Sequence, residues 1–219
     1  ARSDFEIRDR VIAGVTKEFK YWRDLKSTVS LFYEGRSGSP YSWVYTTDLN
    51  TDGFSSNDLV AVPTGGTDAR FDFATLNAAQ LAGYLRFFEQ NGLSRYAGGH
   101  AQKNSHLQPW QNRLDLRFQQ EIPTVGPVKV KLFLDFMNFG SWLSTDLFNY
   151  IETHTNAINT GIVRNVPGAS YNAAGRIVIT PSAANFDAAG NVIIPANSAI
   201  TVNNIDSRWR IQVGARIEF

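Results

Sequence analysis

From Trp209 to Phe219 the chain alternates apolar and polar side chains without a break. Trp209, Ile211, Val213, Ala215, Ile217 and Phe219 fall on one parity, and Arg210, Gln212, Gly214, Arg216 and Glu218 on the other. Successive side chains of an extended backbone point to opposite faces, so this segment forms a complete apolar face only as a strand. Such a strand suits a half-buried soluble sheet or the wall of a transmembrane barrel, whose strands need only about 9–11 residues. An apolar face finishing on an aromatic favours the barrel.

Two further pairs repeat the pattern. Asn112–Ile122 places Leu114, Leu116, Phe118 and Ile122 on one side, with Arg113, Asp115, Arg117, Gln119 and Glu121 on the other. After the turn cluster Pro123–Pro127, Val128–Met137 places Val128, Val130, Leu132, Leu134 and Phe136 opposite Lys129, Lys131 and Asp135. Arg10–Phe19 and Thr28–Glu34 form a weaker pair joined by Lys20–Lys26. The expected fold is therefore all-β, an antiparallel sheet of about five strands. Its connections run short, long, short, long. In outer-membrane barrels turns are short on the periplasmic side and loops longer outside, so 35–111 and 138–207 are expected to be extracellular and the end of the last strand periplasmic.

Within 35–111, a helix is expected through Leu76–Gln90, capped by Asp72, presenting Leu76, Leu81, Leu85 and Phe88, and stopped at Asn91-Gly92. Within 138–207, Arg176–Thr180 and Asn191–Pro195 are expected to pair as a small hairpin. About five strands cannot close a barrel, and open sheet edges do not survive in lipid. The chain is accordingly expected to be the C-terminal part of a larger barrel.

Composition narrows the function classes. A net charge of +1 gives no basic footprint for nucleic acid, which is not an expected partner. Zero Cys removes disulfides, thiol nucleophiles and Cys-ligated metals. No secretory leader pattern opens the sequence, and no apolar run approaches a membrane helix. No G-x-S-x-G and no phosphate-binding glycine loop is present. His100, His106 and His154 lack metal-ligand spacing and are expected to be ordinary loop residues.

One segment has cation chemistry. Asp48-Leu-Asn50-Thr-Asp52-Gly53 resembles the opening of a calcium loop, with oxygen donors at alternate positions and a glycine at the sharp turn. Asp48, Asn50, Asp52, the Phe54 carbonyl and Asp58 are the candidate Ca²⁺ donors. Leu59 stands where the usual twelfth-position acid belongs, and the competing reading is a turn whose Asp and Asn side chains bond their own backbone. Arg113, Asp115, Arg117, Glu121, Lys129, Lys131 and Asp135 are expected to face a wet lumen. There Arg113 and Arg117 would lie diagonally near Asp135. Tyr21 and Trp22 at the inner turn, and Tyr41, Trp43, Tyr45, Trp110 and Trp142 at the outer ends, are expected to form interfacial girdles.

Phe32–Tyr45, Asp48–Leu59, the helix, Pro109–Ile122 and Val128–Leu143, in that order, resemble the C-terminal barrel region of Oar-like TonB-dependent transporters. The closing Ile211–Phe219, with Trp209, resembles the outer-membrane assembly signal that ends in Phe. The resemblance implies a barrel of about 22 strands. Its partners would be the remaining strands and plug of the parent, outer-membrane lipid, and the TonB complex reached through an N-terminal part. The expected role is non-enzymatic: barrel wall and surface loops in energy-coupled transport of a solute, peptide or protein. An outer-membrane adhesin and a soluble extracellular β-sandwich module are the alternatives.

Overall fold

The computed structural model describes residues 3–21, 25–124, 126, 128–149, 151–153, 163–181, 185–194 and 200–219. The structure is mostly β, and no helix among the described residues is long and apolar enough to cross a membrane. It divides into two compact units, one comprising 7–38, 109–152 and 202–219, the other 1–6, 39–108 and 153–201.

The strands run in chain order. They are β1 (Arg10–Tyr21), β2 (Leu25–Arg36), β3 (Pro40–Tyr45), β4 (Phe71–Asp72), β5 (His106–Leu107), β6 (Gln111–Ile122) and β7 (Lys129–Met137). Then follow β8 (Ile151–Thr153), β9 (Val163–Val166), β10 (Ala169–Tyr171), β11 (Ile177–Ile179), β12 (Ile200–Val202) and β13 (Arg210–Glu218). Two helices interrupt them, α1 (Ala78–Gln90) and α2 (Phe139–Leu143).

The first unit is one antiparallel sheet in the order β1-β2-β6-β7-β13, each strand beside its predecessor. The register respects the alternation. Val15, Leu31, Leu116, Phe136 and Ile211 stand opposite one another in a single row across all five strands. A slip of one residue would bring Asp115 or Arg117 of β6, Asp135 of β7 or Arg210 of β13 into that row, so parity disfavours every odd shift of these strands. Strand β2 is longer than the periodicity Thr28–Glu34 suggests. Lys26, Ser27, Gly35 and Arg36 break the pattern yet pair in the ladder with β1. The connection therefore shortens from Lys20–Lys26 to 22–24. Gly214 sits opposite Phe133, whose ring occupies the space a β-carbon at 214 would need. That packing accounts for the one glycine inside the last strand.

The second unit draws on both long connections. Strand β3 lies between β5, antiparallel, and β9, parallel; β11 lies between β10, antiparallel, and β4, parallel. The parallel pairs β3–β9 and β11–β4 join residues from 35–111 to residues from 138–207. Segments read from sequence as separate loops thus share one core. Trp43, Tyr45, Val60, Val62, Phe71, Tyr84, Leu93, Val166 and Ile179 are all fully buried in it. The Arg176–Thr180 segment pairs with Ala169–Tyr171 rather than with Asn191–Pro195. The turn between them is closed by Asn172, whose Oδ1 accepts from the Ala174 and Arg176 amides.

Helix α1 starts later than expected. Its cap is Asn77, not Asp72: Asn77 Oδ1 accepts from the Gln80 amide at 2.9 Å, and Gln80 Oε1 accepts from the Asn77 amide at 3.0 Å. This reciprocal pair satisfies two of the free amides of the first turn. Asp72 lies in β4, where its carboxylate accepts from the Ala74 amide and the Asn172 side chain. The stop at Asn91 is as expected. The buried stripe is Gly83, Tyr84, Phe87 and Phe88, with Leu81 and Leu85 only half-buried at its margin. Aromatic packing explains the shift, because the Phe87 ring meets Trp43 edge-on at 5.2 Å and Tyr84 meets Phe88 at 5.0 Å. A β-carbon on Gly83 would strike the Gly190 carbonyl, so the helix approaches the 187–190 turn backbone to backbone.

Candidate functional site

The five-stranded sheet has two chemically distinct faces. On one, Val11, Val15, Phe19, Leu31, Phe118, Leu132, Ile211, Val213 and Ile217 are all exposed. Ala215 shares that parity, and Phe219 beyond the strand is 99% exposed. Trp209 packs against Phe136 at 5.6 Å, beside a stacked pair of Phe139 and Trp142. All six residues of the expected assembly signal thus follow one edge of the sheet.

Apart from Lys17 the charges lie on the opposite face, beside the exposed Ile12 and Phe32, and of the two arginines expected near Asp135 the register brings one to it. Arg117 stands directly opposite Asp135 and pairs with it at 3.4 Å, its guanidinium over the Phe133 ring. Arg113 does not join them. It pairs with Asp115 two residues along its own strand at 3.0 Å, and Asp115 also accepts from the Asn138 amide at 2.7 Å. The reason is reach: Arg113 is two rungs from Arg117, and Asp115 is the nearer carboxylate. Glu121 is opposite Lys131 and accepts from the Lys26 amide. Lys131 and Arg216 both hold Glu218, at 2.9 and 3.2 Å, and Lys129 is opposite Glu218. Pairs this exposed are worth about 0–1 kcal/mol each. Their effect is to favour one register over its neighbours.

At the end of the sheet remote from the β1–β2 and β6–β7 connections, the charged face carries a cavity of about 400 Å³. Arg36, Arg113, Arg208 and Arg210 line it, together with Glu34, Asp206, Met137 and Phe148. The sequence reading missed this site. Its only signal was an arginine at the polar parity near the same end of several strands, which means nothing until the order of strands is known.

Asp48–Asp58 forms an ordered turn within the other unit. Asp48 accepts from the Asp52 and Gly53 amides at 3.2 and 2.8 Å, and Asn50 Oδ1 accepts from the Asp52 amide at 3.0 Å. Asp52 accepts from the Phe54 amide at 2.9 Å and from the Asn50 and Asn57 side chains. Those bonds, led by the Phe54 amide, hold its carboxyl below the usual range. Asp58 is nearly buried and accepts from the Leu49 amide at 2.6 Å. The side chains expected to ligate a cation thus accept from amides of their own turn, as Asx turns do. Among the described residues no group of three or more acidic or histidine side chains is arranged to hold a metal ion.

Other expected positions separate by burial. Tyr41, Trp43 and Tyr45 are not girdle residues; they are buried in the aromatic core, 0–6% exposed. Trp110 and Trp142 are exposed. Trp22 and His154 lie outside the described residues. His106 lies 2.9 Å from both Ser105 Oγ and the Asn91 carbonyl through its two ring nitrogens, and serves packing. A second buried group also escaped the sequence reading. Asp68 accepts from Arg70 at 2.7 Å and from the Thr64 amide at 2.8 Å, and the Arg70 guanidinium holds its carboxyl far below the ordinary range.

The chain matches no family model, no curated protein and no solved structure. Its function must be argued from these faces.

Proposed function

We propose that the chain forms part of the wall and outer surface of a bacterial outer-membrane β-barrel, and that this barrel is a TonB-dependent transporter. One observation carries the membrane part of the reading: an apolar face exposed across five consecutive antiparallel strands, backed by a charged face. Strands of 9–12 residues match the hydrocarbon thickness at an ordinary barrel tilt. On this reading the apolar face meets lipid and the Arg117–Asp135 face meets a wet lumen. Strands β1 and β13 each pair on one side only within the sheet. Hydrocarbon does not tolerate such edges, so the reading requires further strands from the parent.

The transporter part rests on the resemblance of Phe32–Tyr45, Asp48–Leu59, Pro109–Ile122 and Val128–Leu143 to Oar-like proteins. A plug inside the barrel and a TonB contact would then supply gating, and the 22–24 and 123–128 connections would be periplasmic. A second reading, an outer-membrane adhesin, draws on the other unit. Its fully buried aromatic core is more than a plain connection needs and would suit a binding element on the cell surface.

Carbonate extraction of membranes from cells making the parent protein tests the first step. Retention in the pellet, with release only by detergent, is expected; release by carbonate alone eliminates the barrel. Loss of TonB then separates the two readings, because uptake through a transporter stops whereas adhesion continues.

A further inference from the structure

The polar face of the sheet is not uniform, and the difference lies in how its arginines are matched. Towards the β1–β2 and β6–β7 connections the cations have carboxylates: Lys131 and Arg216 share Glu218, and Lys26 pairs with Glu18 at 3.1 Å. At the cavity end the balance fails. Glu34 is held by Arg10 at 2.9 Å, and Asp206 accepts from the Asn203 side-chain amide at 2.7 Å. Arg36 donates to the Gln111 side-chain oxygen, and Arg113 is engaged by Asp115. Arg208 and Arg210 make no ion pair with any described residue. Four arginines therefore line one concave space against two carboxylates, of which Glu34 is already held by Arg10.

We propose that this cavity binds a small solute bearing two or more anionic oxygen groups, carboxylate or phosphate, with Arg208 and Arg210 as its principal contacts. Guanidinium presents a planar fork of donors that matches both groups in bidentate fashion. A concave wall concentrates the field that an open surface would lose to solvent. A volume of about 400 Å³ fits the lower range of small-molecule pockets, which selects a solute rather than a protein surface. Met137 and Phe148 supply the apolar part of the lining. The inference goes beyond the wall reading and does not need it, because the residues concerned belong to one unit of the chain.

The test is calorimetric titration of the purified full chain, at low chloride, with citrate and separately with inorganic phosphate. Citrate is expected to bind once per chain at sub-millimolar concentration, more weakly as chloride is added. Arg208→Ala/Arg210→Ala should weaken it by about tenfold to a hundredfold, the range expected for losing a charge-assisted hydrogen bond. Arg216→Gln, which removes a cation from the opposite end of the same face, should leave it unchanged. Binding of citrate alone identifies a carboxylate site, and binding of both an oxyanion site; either supports the proposal. No heat with either probe at millimolar concentration overturns it, as does an equal loss in the Arg216→Gln chain. Should the double variant fail to fold, Arg208→Gln alone serves. Its side chain bonds nothing described, so a smaller weakening, about tenfold, is expected without loss of structure.

Discussion

The two units handle apolar residues in opposite ways. Every fully buried large hydrophobic side chain of the described structure, from Trp43 to Ile179, lies in the unit built from the long connections. The five-stranded sheet leaves Val15 at 68% and Val213 at 72% exposure. The cause is pattern rather than amount. Where apolar residues keep strict parity they make a flat face with no thickness, and a second layer must come from elsewhere. Where parity breaks, as in Tyr41–Tyr45 and Tyr84–Phe88, side chains converge from several directions and close on one another. One unit thus closes over its own apolar residues, and the other leaves an apolar face exposed.

The largest effect that would break this comparison lies in the core. Trp43→Ala removes a ring that packs on Tyr41 and Phe87 at zero exposure. It should cost about 3–5 kcal/mol. Hydrogen exchange should show the loss in the α1 amides with the β6 and β7 amides unchanged; equal loss in both would mean the units share one cooperative core. In the same unit, Asp68→Asn should destabilise at neutral pH. The Asp68 carboxyl is held below its ordinary value by Arg70. Its contribution is therefore complete above about pH 4 and fades as pH falls further, so the gap between wild type and variant should narrow in acid. A gap that stays constant from pH 7 to strong acid would remove the ion pair from the account.

Next in size is a contrast between faces. A Lys at Leu132, on the exposed apolar face, should cost about 2–4 kcal/mol in a lipid-embedded parent, whereas a Lys at Gln119, on the charged face, should cost little. Folding titrations in bilayers check it. Equal costs would show that the apolar face does not meet hydrocarbon.

How much of this was legible beforehand follows the same division. The sheet could be read because a period of two is a local signal, and Trp209–Phe219 declares its face without help from any neighbour. Its hairpins and the face on which each charge falls came from parity; the register did not, because a slip of two keeps parity, and Arg117 stands directly opposite Asp135 where a diagonal was expected. The core unit could not be read, because β3 pairs with β9 and β4 with β11 across more than a hundred residues, and short strands of 2–6 residues carry no period. Tyr41, Trp43 and Tyr45 alternate on paper with Ser42 and Val44, yet all five are buried, since β3 is covered on both faces. The helix was visible, but its cap was misplaced by five residues, because Asp72 and Asn77 both precede the apolar run and only the reciprocal bond with Gln80 decides between them. The cavity needed strand order, which parity alone does not supply.

A smaller effect sharpens the boundary between strand and helix in the sheet unit. Asn138 follows β7 in the left-handed region, at φ 52°, and its side-chain amide donates to the Ser207 carbonyl at 2.8 Å. Asn138→Ala loses that bond and also the side chain that lets Asn tolerate the left-handed region better than Ala, together about 2 kcal/mol. Asn138→Gly loses the bond, about 1 kcal/mol, but also removes the β-carbon at this positive φ, and should be the milder change. Thermal unfolding of the two variants gives the order directly. The reverse order would mean that the backbone turn is not what Asn138 supplies.

The smallest effect is the cleanest probe of whether the core unit stands on long-range packing or on local helix chemistry. Asn77→Ala removes the side-chain oxygen that receives the Gln80 amide, while the Gln80 side chain still accepts from the backbone amide of residue 77. Loss of such a cap costs about 1 kcal/mol, and Asn77→Ser should recover most of it because a hydroxyl fills the same role. Tyr84, Phe87 and Phe88 lie one turn and more beyond the cap and are held by rings from outside the helix, including Trp43. Exchange should therefore quicken at the first-turn amides while protection at Phe87 and Phe88 persists. If protection fell equally along the whole of α1, the helix would depend on its own cap more than on the aromatic core. The division between a self-closing unit and an open sheet would then rest on a weaker base than Trp43 implies.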